Sequence, residues 1–252
     1  MKTIVLSLTL IVSLNQIHLI GQTNPEMKVT ELMFLVDITD AELYGQIKAD
    51  FQNNLPQFFN YTHLGRIKDL EMFRLSVAPI NSTGELIITC KSIQIPKKGM
   101  PTNDVKKLSN PQPLMAMLRE QLNVFEAQVA NNDRSLIMEV VLKAVNQANE
   151  NAERNIIVIC SDLLEFSNTA NFYRKIPSPQ EVDQVIKNLD SITWSSAKRK
   201  AEKTQPEIII IYRQSPGFKQ ARELKLFWCS LMNKLGIKSV VFIDNFTQDP
   251  QI

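Results

Sequence analysis

Two aspartates and two hydroxyl residues carry the clearest chemistry in this chain. Asp37 and Thr39 follow one apolar run, Ser135 stands between two helical segments, and Asp162 follows another apolar run. All four present oxygen, and two carboxylates with two hydroxyls suit a hard divalent cation such as Mg²⁺, Mn²⁺ or Ca²⁺. That chemistry leaves positions for water and for a carboxylate brought by a partner. Asp40 and Glu165 are acidic neighbours of the set. Each residue also has a purely structural use: Asp37 or Asp40 as a cap for the first helix, Ser135 as the cap of the helix it opens, Asp162 in an Asx turn.

Other chemistry is scarce. The chain has two histidines, His18 and His63, so a multi-histidine metal site is excluded and a Ser-His-Asp device would rest on His63. Seven scattered glycines form neither a dinucleotide fingerprint nor a P-loop. With 28 basic and 26 acidic side chains, net charge +2, no nucleic-acid surface is expected. Asp37 sits at a strand end, as aspartyl nucleophiles of phosphoryl-transfer folds do, but the residue two positions on is Thr39, not a second acid. Cys160 ends a buried strand with no nearby base. No enzyme activity is expected. Cys90, Cys160 and Cys229 are odd in number, lie in apolar runs and form no C-x-x-C pair, which favours buried reduced thiols and leaves one bridge among the three open.

The elements that position these residues are legible in the hydrophobic pattern. Residues 1–21 join a cationic start to an apolar stretch of signal-peptide length, implying export to the periplasm or the exterior. Residues 22–252 then form one domain with no transmembrane anchor. At 44% hydrophobic and 21% charged residues the composition is that of an ordinary globular protein. Apolar runs at 31–38, 71–80, 85–95, 154–160, 207–212 and 239–243 read as strands, with Asn81–Gly84 as a tight hairpin turn. Helical periodicity falls at about 41–59, with Pro56 as its kink or end, and at 114–129, 135–149, 180–189 and 219–235. The two helices flanking Asn131–Arg134 should run antiparallel, joined by a short link. Alternating strands and helices give a three-layer, Rossmann-like α/β fold: a mostly parallel sheet with one antiparallel edge strand and helices on both faces. If the first strand rises, chain direction carries Asp37, Thr39, Ser135 and Asp162 all to the carboxyl end of the sheet, where open α/β sheets bind ligands.

In element order, and in these residues, the chain resembles the von Willebrand factor type A domain. That family's metal-ion-dependent adhesion site reads D-x-S-x-S after the first strand, with a Thr between two later helices and an Asp after the fourth strand. Here the first motif is Asp37-Ile38-Thr39-Asp40-Ala41: Asp37 matches, Thr39 replaces one Ser, and Ala41 lacks a hydroxyl. Ser135 stands where the family has Thr, and Asp162 matches the last acid. The resemblance implies a protein-binding or adhesion module holding a cation through Asp37, Thr39, Ser135 and Asp162, which captures an acidic side chain of a protein partner. The alternative is a metal-free structural or scaffold component of a secreted or periplasmic assembly. The loop Glu165–Pro179, with Phe166, Phe172, Tyr173, Arg174 and Lys175, leaves the same pole and suits protein recognition, unless its aromatics fold back onto the core. Lys198–Lys200 and Lys203 read as a solvated helix end at the opposite pole.

Overall fold

Along the first apolar run, Leu32, Phe34 and Val36 enter one hydrophobic layer while Leu35 enters another, and all four are at most 1% exposed. Side chains of successive strand residues leave opposite faces, so this run is a strand covered on both sides. The computed structural model describes residues 29–61, 72–94, 112–129, 134–215 and 217–244. The leader expected at residues 1–21, His63, residues 95–111 and residues 131–133 lie outside them.

In chain order the strands are β1 (Val29–Asp37), β2 (Met72–Ile80), β3 (Thr89–Gln94), β4 (Arg154–Ser161), β5 (Glu207–Tyr212) and β6 (Ser239–Ile243). The helices are α1 (Ala41–Tyr61), α2 (Gln112–Glu126), α3 (Ile137–Asn146), α4 (Val182–Asn188, led in by a 3₁₀ turn), α5 (Ser191–Thr204) and α6 (Ala221–Leu235). The six strands form one sheet in the order β3-β2-β1-β4-β5-β6, parallel throughout except for the antiparallel edge strand β3. This is the Rossmann-like α/β fold expected. Its strand order reverses direction between β1 and β4, the switch point where doubly wound sheets open a crevice.

One layer is α1 and α2. Leu43, Ile47, Phe51, Leu55 and Phe58 of α1 form one buried stripe, and Phe51 meets Phe34 edge to face with ring centroids 5.0 Å apart. Each such side chain contributes about 1.5–3 kcal/mol by leaving water. The other layer is α3 to α6. Here α3 is apolar almost all round, with seven of its ten residues buried, because it packs against α5 as well as against the rest of this hydrophobic layer. Ala197 and Ala201 of α5, both fully buried, allow that close approach.

Four expectations change. Helix α1 continues through Pro56 to Tyr61. A proline removes one backbone hydrogen bond, and Gln52, whose carbonyl loses its partner, is exposed to water. The turn between β2 and β3 runs from Asn81 to Ile88, longer than a tight hairpin, because it is tied to α3 instead. Gly84 has φ +68° and packs on Glu139, while Lys143 Nζ donates to the Gly84 carbonyl at 2.6 Å. Helices α2 and α3 belong to opposite layers, since α2 buries Leu118 and Leu122 with α1 whereas α3 buries Val140 and Val141 with α5. Of the cysteines, only Cys160 is buried; Cys90 on the edge strand and Cys229 on α6 are exposed, and all three are free.

The opposite pole is closed by ion pairs. Arg154 makes a bidentate pair with Glu207 at 2.8 and 2.7 Å, and Lys200 and Lys203 both reach Glu150, as a solvated basic helix end would. No described helix is long and apolar enough to cross a membrane.

Candidate functional site

β1 ends on Asp37 and the parallel neighbour β4 ends on Ser161, so the two side chains emerge together at the switch point. Asp37 is fully buried. Its Oδ1 accepts from the Thr39 amide at 3.0 Å and the Thr39 hydroxyl at 2.6 Å, and its Oδ2 accepts from the Ser161 hydroxyl at 2.7 Å. Ser161 Oγ in turn accepts from the Leu163 amide at 2.9 Å. The chain then turns sharply: Leu163 adopts φ +62°, a left-handed conformation rarely seen for a bulky residue, and is completely buried. Its carbonyl is held by the indole N–H of Trp228 at 3.1 Å. This strain, on the order of 1–2 kcal/mol, is offset by burial, and the turn leaves Asp162, itself buried, in the lining of a cleft at this pole.

Asp162 accepts from the Leu164 amide at 3.0 Å, the Asx turn anticipated for it, and its other oxygen accepts from the Ser215 hydroxyl. Burial, and after it the charge of Asp37, pushes the Asp162 carboxyl up to about 6. Burial likewise raises Asp37 despite the hydroxyls that favour its charged form. Asp40 caps α1 through the Leu43 amide at 2.7 Å. Among the described residues no Lys or Arg pairs with Asp37, Asp40 or Asp162.

Ser135 reaches the site from the other layer. Its backbone exchanges two hydrogen bonds with Phe166, both 3.0 Å, fixing it beside the loop that follows Asp162. It is 5% exposed, and its hydroxyl has no hydrogen-bond partner. It does not cap α3. That role falls to Glu165, 1% exposed, whose carboxylate accepts from the Met138 amide at 2.9 Å, and burial pushes this carboxyl up to about 7. Glu165 thus serves the helix rather than the site.

Thr39, Ser135 and Asp162 line one cleft of about 400 Å³, together with Asp40, Leu43, Arg134, Phe166, Asn171, Tyr173 and Arg174. Asp37 lies beneath them, joined through Thr39. Of the loop aromatics, Phe172 folds into the core at 1% exposure, whereas Tyr173 stays 63% exposed and stacks edge-on against Phe166 with centroids 6.1 Å apart. Lys175 is taken by Glu181 at 2.5 Å. Among the described residues no three His, Cys, Asp or Glu side chains converge as a metal cluster would. A cation here would depend on hydroxyls and water as well as carboxylate. The donor set fits a hard ion: the Thr39 hydroxyl spends its proton on Asp37 and keeps its lone pairs, the Ser135 hydroxyl is unused, and no described lysine or arginine forms an ion pair with the Asp37 or Asp162 carboxylate.

Sequence reasoning missed Ser161, Ser215 and Arg134 as parts of this arrangement. Ser161 was recoverable, being the terminal residue of a rising strand beside β1. Ser215 lies three residues beyond the end of β5, which also rises to this pole.

Strand order and a polar cleft at the switch point define a doubly wound α/β domain with a ligand-type site. No protein-family model matches the chain, and no curated protein matches it. Among solved structures it is similar to the human COPII-coat protein Sec24c, at 8% identity and a TM-score of 0.40, over 89% of this chain and 31% of that one. The chain thus spans about a third of that structure's length.

Proposed function

We propose that this chain is an exported protein-binding module of the von Willebrand A type, which holds a divalent cation at the carboxyl pole of its sheet and engages its partner there. The observation that carries this reading is the unused buried hydroxyl of Ser135, set in one cleft with an acid, Asp162, that forms no ion pair with any described lysine or arginine. Thr39, Ser135 and Asp162 would hold the ion, Mg²⁺, Mn²⁺ or Ca²⁺, and Asp37 would add negative charge behind Thr39. When bound, the cation supplies a Lewis-acidic position for a carboxylate oxygen of the partner. Asp37 orients the Thr39 hydroxyl, the Phe166 backbone orients Ser135, and Tyr173 offers exposed aromatic area of the kind that anchors protein interfaces. No catalytic step is part of this reading, and export rests on the composition of residues 1–21.

One observation favours the metal-free scaffold reading instead: each carboxylate oxygen of Asp37 and Asp162 already has an internal donor. Paramagnetic Mn²⁺ separates the two. Added substoichiometrically to isotope-labelled protein, it should selectively broaden the amide resonances of Thr39, Ser135, Asp162 and Tyr173, reversibly on chelation. Uniform or absent broadening in a folded protein would leave the scaffold reading.

A further inference from the structure

Several basic side chains pair with a carboxylate in this molecule, among them Lys48 with Glu126, Lys143 with Glu139, Lys175 with Glu181 and Lys234 with Asp183. In the cleft, opposite charges share one lining without pairing: Asp40 and Asp162 line it together with Arg134 and Arg174, and among the described residues no ion pair joins the two sets. Opposite charges that line one cleft of about 400 Å³ without pairing suit an occupant that meets both. Both arginines stand on ordered backbone. The Arg134 guanidinium donates to Asn168 Oδ1 at 2.6 Å, and it precedes Ser135, which is paired with Phe166. The Arg174 amide donates to Asn171 Oδ1 at 3.2 Å and to the Asn171 carbonyl at 3.2 Å, which holds the turn that carries it.

We infer that Arg134 and Arg174 are the specificity-determining residues of the cleft, and that they select a protein partner presenting a run of adjacent acidic side chains. The inference rests on the cation-dependent binding reading above. One partner carboxylate goes to the ion beside Thr39, Ser135 and Asp162, and the next ones meet the guanidiniums. Planar guanidinium forks match carboxylates better than lysine ammonium does, and a second set of anchors in the same cleft disfavours segments with a single acid. A cleft of this size admits more than one side chain.

The test uses the full mature protein and two fluorescently labelled peptides, tetraglutamate and the same peptide with three glutamates replaced by glutamine. With saturating Mg²⁺, tetraglutamate should bind the wild type about tenfold more tightly than the single-acid peptide. The Arg134→Gln, Arg174→Gln variant should lose that preference by weakening tetraglutamate alone, while binding Mn²⁺ no more weakly and melting at the same temperature. Equal affinity of variant and wild type for tetraglutamate would overturn the assignment, as would a wild type that binds neither peptide. Failure of the underlying reading looks different: tetraglutamate binding lost in the arginine variant but indifferent to a chelator would retain the arginines and retire the cation. Inorganic phosphate displacing tetraglutamate at equal concentration would contradict peptide selection and indicate a small-anion site.

Discussion

Asp162 carries the sharpest electrostatic conflict at the site. Burial and the neighbouring Asp37 hold its carboxyl at about 6, above the ordinary 3.8, so the folded protein keeps this proton more tightly than the unfolded chain does. Ionisation therefore costs stability as pH rises through that interval, and the cost is complete above about 6. Asp162→Asn should raise the stability of metal-free protein at neutral pH by roughly 1–2 kcal/mol, with wild type and variant converging below about pH 4. Urea denaturation across the pH range measures the difference directly. A divalent cation would reverse this by favouring the charged form. Ser135 presents a related case: its hydroxyl is buried and unused, which costs stability in the absence of a ligand.

At the scale of elements, α3 governs how the site is assembled. Its own N-cap residue, Leu136, offers no side-chain hydrogen bond, and Glu165 supplies the missing acceptor from 27 residues further along the chain. Removing that acceptor leaves buried amides at the helix start unpaired. Glu165→Ala should destabilise the protein by about 1–3 kcal/mol at pH 8, and Glu165→Gln, which keeps a carbonyl acceptor, by clearly less. Chemical denaturation of both variants checks the order. This contact was invisible in the sequence because Glu165 and Met138 meet only through the tertiary fold, and Ser135 stood in the local position expected of a cap. Helix α5 was recognised only as a basic helix end, although Asp190 caps it through Thr193 at 2.7 Å, a local signal that was available. Pro56 reads locally as a kink or end of α1 because local rules weigh the lost hydrogen bond and cannot see the buried stripe that continues from Leu55 to Phe58 across it.

For the whole molecule, the sheet was legible because each parallel strand is a continuous apolar run and chain direction follows from alternation. That logic brought Thr39, Ser135 and Asp162 to one pole, and the structure sets them in one cleft. It did not give depth: Asp37 lies below the cleft with its oxygens occupied, a consequence of Ser161 on the adjacent strand. Nor did it reveal that α2 and α3 belong to different layers, since a short link is compatible with either side of the sheet. The cleft lies at the reversal point between β1 and β4, the position at which open α/β sheets in general bind ligands. The central claim is that an ion binds there. Calorimetric titration of chelator-stripped protein with Mg²⁺, Mn²⁺ and Ca²⁺, beside a Ser135→Ala, Asp162→Ala variant, tests it most directly. Saturable binding of one ion per chain, absent in a variant that remains folded, is the predicted result; a folded wild type that takes up none of the three ions, or a variant that binds them equally well, would contradict it.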